Sequence, residues 1–214
     1  MHSLLVVLGN QLFPTNFISD VNPSRIFMAE DLGLCNYEKH HKLKILMFLA
    51  AMREKRDELR SDGFEVDYFD LDSEQFEADY EAKLEQSIKQ HSITHLQIFE
   101  VEDKPFEQRI TSFAKKNKLT LEILSSPMFL LSRDEFESLV SGRKTLLMGD
   151  FYKRVRKKFK ILVDEKLNPE GGQWSFDEDN RKKLPKGIVL PESFKPEISQ
   201  YTSKLQSQIV EKFA

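Results

Sequence analysis

Residues 3–11, SLLVVLGNQ, decide the fold of this 214-residue chain. Residues 4–8 are all apolar, and Gly9, Asn10 and Gln11 follow them directly. A short apolar run that ends in a glycine turn is typical of a strand buried within a parallel sheet. Because open parallel sheets bind ligands where their strands end, Gly9, Asn10 and Gln11 fall where the first ligand-binding turn is expected.

Outward from this strand, the chain alternates between short strand-like segments and longer helical ones. Further strands are predicted over 25–30 (RIFMAE), 65–71 (EVDYFDL), 94–99 and 119–124. Helices are predicted between them, over 43–61, 75–91 and 104–117. This order predicts an α/β fold, with a Rossmann-like, doubly wound, mostly parallel five-stranded sheet flanked by helices and followed by a C-terminal helical and linker extension.

The pattern after the fifth strand predicts a change of organisation. Residues 1–132 are interpreted as the sheet domain and 133–167 as a helical extension that includes a basic helix over 148–163. Residues 168–196 contain a Pro-Glu-Gly-Gly turn and three spaced prolines, which indicates an interdomain linker. In residues 197–214 the apolar residues recur at helical spacing and would form one apolar face of a helix. Only the sheet domain is available within this chain to pack against that face. These residues are interpreted as the start of a helical domain that lies outside this chain.

Composition limits the class of protein. Apolar residues form 40% of the chain and charged residues 31%, a balance typical of a folded globular protein. No apolar stretch is long enough for a bilayer span, and the N-terminus lacks the features of a signal peptide, so we expect a cytoplasmic protein without a membrane partner. The single cysteine, Cys35, excludes an intramolecular disulfide and an all-cysteine metal site within the chain. No catalytic or metal-ligating residue is assigned.

Local motifs leave the ligand at the sheet edge open. The chain has neither a Gly-x-Gly-x-x-Gly fingerprint nor a phosphate-binding P-loop, which disfavours the corresponding NAD enzymes and ATPases. Gly9 alone is also explained by a tight turn. His40 and His41 precede the long helix but project roughly 100° apart, which disfavours a shared metal ion. With Lys42 and Lys44 they form either a site for an anionic or carbonyl-bearing ligand or an exposed cap.

Basic residues concentrate in one part of the chain. Between residues 143 and 166 there are nine lysines and arginines but three acidic residues, although the whole chain has a net charge of −3. The helix predicted over 148–163 has apolar residues at intervals of three and four, so its cations occupy the opposite face. That face is either a solvated surface or a site for DNA phosphates. The candidate phosphate contacts are Lys153, Arg154, Lys157 and Lys158.

Four motifs in their linear order resemble the deoxyribodipyrimidine photolyase-related family. They are LGNQL at 8–12, YEKHHKLKILMFLAAMR at 37–53, GRKTLLMGDFYKRVRKK at 142–158 and PEGGQWSFDEDNRKKLP at 169–185. The resemblance covers most of residues 3–186. This family is the bacterial branch of the photolyase and cryptochrome superfamily that carries an iron–sulfur cluster, and it includes (6-4) photolyases.

The resemblance implies a division of labour between two domains. The N-terminal α/β domain of such proteins binds an antenna chromophore, often a ribityllumazine, whereas a C-terminal helical domain binds FAD and the iron–sulfur cluster. The parent protein would be a DNA photolyase, a carbon–carbon lyase that uses light to repair pyrimidine photoproducts. This chain alone is expected to be inactive and monomeric, with damaged DNA and the chromophore as partners of the full-length protein.

The resemblance also implies specific site residues. The antenna pocket is expected at Gly9, Asn10, Gln11, Ala29, Glu30, Leu34 and Phe48. Some lumazine-binding members of the family have a carboxylate where Leu34 stands and a smaller aliphatic residue where Phe48 stands, so the identity of the chromophore is left open.

The motif at 169–185 matches a segment that approaches the damaged site of the DNA in this family. The resemblance therefore implies that Asp177, Asn180 and Arg181 contact the lesion and that Lys182 and Lys183 contact phosphates. The alternatives are a cryptochrome-type photoreceptor and a stand-alone nucleotide- or flavin-binding α/β module without photochemistry.

Overall fold

The computed structural model describes residues 2–213 and has a five-stranded sheet in which every strand pair is parallel. The strand order is β3-β2-β1-β4-β5, so β1 is central and the chain winds outward from it in both directions. The strands are β1 (Ser3–Val6), β2 (Arg25–Ala29), β3 (Val66–Phe69), β4 (His95–Phe99) and β5 (Thr120–Leu124). The predicted doubly wound α/β fold is confirmed.

Helices connect the strands and continue after β5. They are α1 (Thr15–Val21), α2 (Leu32–Asn36), α3 (Lys42–Ser61), α4 (Tyr80–Gln90), α5 (Lys104–Lys116), α6 (Arg133–Val140), α7 (Met148–Phe159) and α8 (Thr202–Lys212). Two short 3-10 helices, Glu170–Gly172 and Asp177–Arg181, lie between α7 and α8. Within residues 2–213, no helix combines the length and apolarity needed to cross a bilayer.

The helices of the structure differ from the predicted ones at four places. The sequence pattern missed α1 and α2, because seven and five residues are too few to display a helical period. The helix predicted from residue 75 begins at Tyr80, since residues 71–78 form turns instead. The basic helix ends at Phe159 rather than at residue 163, because Lys160 adopts a left-handed conformation with φ of 53°.

Two apolar layers cover the two faces of the sheet. Successive residues of a strand point to opposite faces, so Leu5 and Val7 join one layer while Leu4 and Val6 join the other. The first layer contains α1, α3 and α8, and the second contains α4 and α5. The apolar run that opens the chain is therefore buried on both sides, as the sequence predicted.

The chain folds into two compact units. One comprises the residues up to Ser132 together with those from Glu197 onward, and we call it the sheet unit. The other is Arg133–Pro196, which we call the basic unit. The interpretation of 168–196 as an interdomain linker, and of 197–214 as the start of a further domain, stays a prediction.

Helix α8 belongs to the hydrophobic core of the sheet unit. Its apolar face places Leu205, Ile209 and Phe213 in the same buried layer as α3. The hydroxyl of Tyr201 donates to Asp57, and the Arg56 guanidinium donates to that hydroxyl at 3.0 Å. The apolar face of α8 is therefore covered by the sheet unit, which was the partner that the sequence left available for it.

Within the basic unit, Arg156 joins the end of α7 to the residues that follow it. Its guanidinium donates to the backbone carbonyls of Ile161, at 3.0 Å, and of Leu162. It also lies over the rings of Tyr152 and Trp174, 5.3 and 5.1 Å from their centroids. Because it is 6% exposed and its guanidinium donates to backbone carbonyls, Arg156 stabilises the fold of this unit. Its burial departs from the expected separation of apolar and charged faces.

Candidate functional site

A cavity of about 330 Å³ opens at the carboxyl edge of the sheet, where β1, β2 and β4 end. We call it the edge cavity. Its wall is mainly apolar and aromatic, and it includes residues from α2, α3, α4 and α5. Its lining is Val7, Leu8, Gly9, Asn10, Ala29, Glu30, Asp31, Leu34, Cys35, Tyr37, His40, Lys44, Ile45, Phe48, Leu49, Met52, Tyr80, Val101, Asp103 and Phe106. Small-molecule sites in open α/β sheets have this position and this character.

The structure brings six of the seven predicted pocket residues together in this wall. They are Gly9, Asn10, Ala29, Glu30, Leu34 and Phe48. The seventh residue, Gln11, is fully buried and lies outside the lining. Its side-chain amide donates to the backbone carbonyl of Glu100 at 2.8 Å. Gln11 therefore ties the turn after β1 to the residue after β4.

Gly9 allows α3 to approach the turn after β1. A Cβ atom at this position would lie 2.9 Å from the Sδ atom of Met52 and 3.5 Å from the Phe48 ring. The first distance is shorter than van der Waals contact, so a larger residue at this position would require the Met52 side chain to move. The glycine thus makes room for the Met52 and Phe48 side chains beside the turn.

Glu30 lies at the end of β2, and its carboxylate has protein partners on both oxygens. Arg53 donates to the two oxygens at 2.6 and 2.9 Å. The Tyr68 hydroxyl donates at 2.7 Å and the backbone amide of Leu71 at 2.9 Å. Since Glu30 is fully buried, these bonds compensate its charge and place it in the wall as a structural anchor.

A second buried ion pair, which sequence reasoning missed, lies beside Glu30. Asp31 accepts from the Lys83 ammonium at 2.7 Å and from the amide of Leu34 at 2.9 Å, which caps α2. Lys83 is fully buried and also donates to the carbonyl of Phe76 at 2.9 Å. The sequence feature that could have indicated this pair is Lys83 itself, which precedes Leu84 on the apolar side of a predicted helix.

Cys35 is half-buried in the same wall. Burial raises the pKa of its thiol to about 11, and the nearby charges of Asp31 and Glu30 act in the same direction. The thiol is therefore neutral at physiological pH and a poor nucleophile. This agrees with the absence of a candidate catalytic cysteine in the sequence.

The histidines before α3 act differently from each other. His41 caps the helix, since its Nδ1 accepts from the amide of Leu43 at 3.1 Å. His40 lines the mouth of the edge cavity, 3.4 Å from the Lys44 ammonium. No group of three His, Cys, Asp or Glu side chains able to hold a metal ion occurs in the part of the chain that the structure describes.

The predicted phosphate contacts on α7 are all exposed, but their surroundings differ. Lys158 donates to the carboxylate of Glu135 at 2.6 Å. Lys157 lies 5.3 Å from the centroid of the Trp174 ring. Lys153 and Arg154 lie on the exposed surface of the same helix. The helix therefore presents cations to solvent, as both interpretations of its charge require.

The linker candidates lie in or next to the second 3-10 helix. Asp177, Asn180 and Arg181 are exposed within it, and Lys182, which follows it, donates to Asp179 at 2.5 Å. Lys183 is exposed as well. These side chains are thus together on one short surface segment of the basic unit.

Comparison with known proteins gives matches over nearly the whole chain. It is 29% identical over 194 residues to a protein described as a (6-4) photolyase from Agrobacterium fabrum, a match covering 89% of this chain and 38% of that protein. It is 27% identical over 200 residues to an uncharacterized protein of Acanthamoeba polyphaga mimivirus, covering 89% of this chain and 99% of that protein. The chain thus spans well under half the length of the (6-4) photolyase. The family model described as deoxyribodipyrimidine photo-lyase-related protein matches residues 5–214, and the chain therefore belongs to this family.

Proposed function

We propose that the sheet unit binds an antenna chromophore in the edge cavity, and that the protein thereby supports light-driven repair of pyrimidine photoproducts in DNA. The observation that carries the proposal is the cavity itself, which lies at the ligand-binding edge of the fold and includes six of the seven residues expected from the family resemblance. The photolyase-related family and the similarity to a (6-4) photolyase support the wider role.

The size and lining of the edge cavity favour a small ring system. A volume of about 330 Å³ lies at the low end of the range for ligand sites, which suits a lumazine-sized heterocycle better than a dinucleotide. Leu34 and Phe48 add apolar contact area to its wall. The half-buried His40 and the exposed Lys44 in its lining suit a hydroxylated or anionic tail.

The photochemistry of the whole protein would need cofactors beyond this cavity. A bound antenna chromophore supplies absorbed light energy, and FAD and an iron–sulfur cluster are expected in a helical domain outside this chain. The residues described here would hold the chromophore, exclude water from it and fix its orientation. Repair activity is accordingly a proposal for the full-length protein.

Ligand binding is tested by filling the edge cavity. We expect the purified chain to bind dimethyl-ribityllumazine, measured by fluorescence titration, and Leu34→Trp to weaken this binding by more than about tenfold, since the indole would occupy part of the ring site. The matched control is Leu43→Trp, because Leu43 is 67% exposed on α3 and lies outside the cavity lining. Equal binding by both variants, with unchanged urea midpoints, would place the ligand elsewhere.

We further propose that the basic unit contacts DNA phosphates through α7 and through Lys182 and Lys183, which follow the second 3-10 helix. This unit has 15 lysines and arginines and 11 acidic residues, whereas the whole chain has a net charge of −3. Lysines and arginines exposed on one helix are suited to sequence-independent phosphate contacts. Arg156 is excluded from this surface by its burial.

The DNA surface is tested with two charge-reversal variants of equal net charge. We expect Lys153→Glu/Arg154→Glu to weaken binding to ultraviolet-irradiated duplex at least about tenfold at low salt, and to lower the slope of log affinity against log salt by about 2. The control, Lys115→Glu/Lys116→Glu, reverses two exposed lysines at the end of α5. Fluorescence anisotropy at several salt concentrations measures both. Equal weakening by both variants would mean that net charge alone controls binding.

The alternatives give different outcomes in these assays. A cryptochrome-type photoreceptor would bind the chromophore but would show no repair in the full-length protein. A nucleotide- or flavin-binding module without photochemistry would prefer riboflavin or a nucleotide to the lumazine and would not respond to the reversal of Lys153 and Arg154.

A further inference from the structure

Tyr80, the first residue of α4, has a polar group in the wall of the edge cavity that the protein does not use. Its ring packs edge-on against Phe27 at 5.5 Å and Phe106 at 5.2 Å between centroids. The residue is 1% exposed. Its hydroxyl has no hydrogen-bond partner among residues 2–213. A buried hydroxyl without a partner is unfavourable, and phenylalanine would supply the same ring contacts.

The carboxylates in the cavity lining accept hydrogen bonds from other groups. The oxygens of Asp31 accept from Leu34 and Lys83, and those of Glu30 accept from the four donors described above. Asp103 caps α5 by accepting from the amide of Phe106 at 3.3 Å. The polar groups that surround this part of the cavity therefore satisfy one another and leave the hydroxyl out.

Other buried polar atoms without partners lie away from the edge cavity. Within the described residues, these atoms are on Gln11, His91, Gln97 and Gln208, and none of these residues belongs to the cavity lining. Tyr80 therefore combines two independent features, a place in the cavity wall and an unused hydrogen-bonding group. Its position alone would not indicate a ligand contact, but the combination does.

We propose that the Tyr80 hydroxyl donates a hydrogen bond to a carbonyl oxygen or ring nitrogen of a heteroaromatic ligand in the edge cavity. This inference rests on the proposed function and adds a specificity-determining residue to it. The edge-on contacts with Phe27 and Phe106 hold the Tyr80 ring in place, so its hydroxyl is a fixed donor rather than a mobile one.

Electrostatics favours the hydroxyl as the donor. Burial raises the pKa of Tyr80, and the nearby carboxylates of Asp31 and Glu81 raise it further, whereas Arg109 opposes them. The hydroxyl therefore keeps its proton at physiological pH. A ligand that presents an acceptor is preferred over one of the same size that presents only hydrocarbon, because only the first satisfies the donor.

The test compares Tyr80→Phe with Tyr152→Phe, in which the hydroxyl lost comes from a half-exposed tyrosine of the basic unit. In the whole chain, we expect Tyr80→Phe to weaken dimethyl-ribityllumazine binding about two- to tenfold. The absorption maximum of the bound lumazine should also move, because the hydrogen bond polarises its ring. Without ligand, the urea midpoint of Tyr80→Phe should equal or exceed that of the unsubstituted chain.

Three results would overturn the inference. Unchanged affinity and an unchanged absorption maximum in Tyr80→Phe would remove the hydrogen bond while leaving the proposed function intact. A lower urea midpoint for ligand-free Tyr80→Phe would show that the hydroxyl has a partner within the protein. Absence of lumazine binding by the unsubstituted chain would overturn both this inference and the proposed chromophore site.

Discussion

Removal of the residues from Glu197 onward is expected to destabilise the sheet unit by about 5 kcal/mol or more, which is comparable with the whole stability of a small domain. Leu205, Ile209 and Phe213 are buried in the layer that contains α3. Deletion would expose that layer to water and would remove the bonds between Tyr201 and α3. We therefore expect most of the truncated chain to be unfolded or aggregated at room temperature.

Urea denaturation, monitored by circular dichroism, measures this loss of stability. Substitution of two neighbouring residues of α8 provides a finer comparison. Ile209 is 2% exposed and Val210 is 61% exposed. We expect Ile209→Ala to destabilise the chain by about 2–5 kcal/mol and Val210→Ala by less than about 0.5 kcal/mol. A truncated chain with the urea midpoint of the full chain would show that α8 does not contribute to the core.

Substitution of Glu30 by alanine is expected to have the second large effect, a destabilisation of about 3–5 kcal/mol. The alanine would leave the Arg53 guanidinium, whose side chain is 4% exposed, without its carboxylate partner. It would also free the Tyr68 hydroxyl and the Leu71 amide. The loss is large because a buried charge without a partner cannot recover its hydration.

The double variant Glu30→Leu/Arg53→Met is the control for this interpretation. Because it removes both charges, it should be more stable than Glu30→Ala by urea denaturation, although it still lacks the bonds to Tyr68 and Leu71. If Glu30→Ala lowers the free energy of unfolding by less than about 1 kcal/mol, the carboxylate is not the anchor described here. Ligand binding measured on the same variants separates loss of the fold from loss of the edge cavity.

The sheet could be predicted from sequence because strand patterns are local: β1 is buried along its whole length, whereas β3 and β5 include polar and partly exposed residues. The five strand segments and helices α3 and α5 were predicted with small errors at their ends, since each contains enough residues to show its period. Prediction was weaker for α1, α2 and the start of α4, where turns and short helices lack a period. Local pattern also located the turn at Gly9, although the contact with Met52 that explains the glycine lies more than forty residues away.

The sequence by itself determined the α/β class of this protein, the edge of the sheet where a ligand site would lie and, through its motifs, its family. Only the tertiary structure decided which polar residues are structural and which remain available. Glu30 is held by Arg53, Asp31 by Lys83 and Arg156 by nearby carbonyls, while the Tyr80 hydroxyl has no hydrogen-bond partner among residues 2–213. It likewise decided that the apolar face of α8 completes the layer beside α3. The physical reason is that strand and helix periods are local properties, whereas the partner of a buried charge or apolar face comes from a distant part of the chain and is fixed only when packing brings the two together.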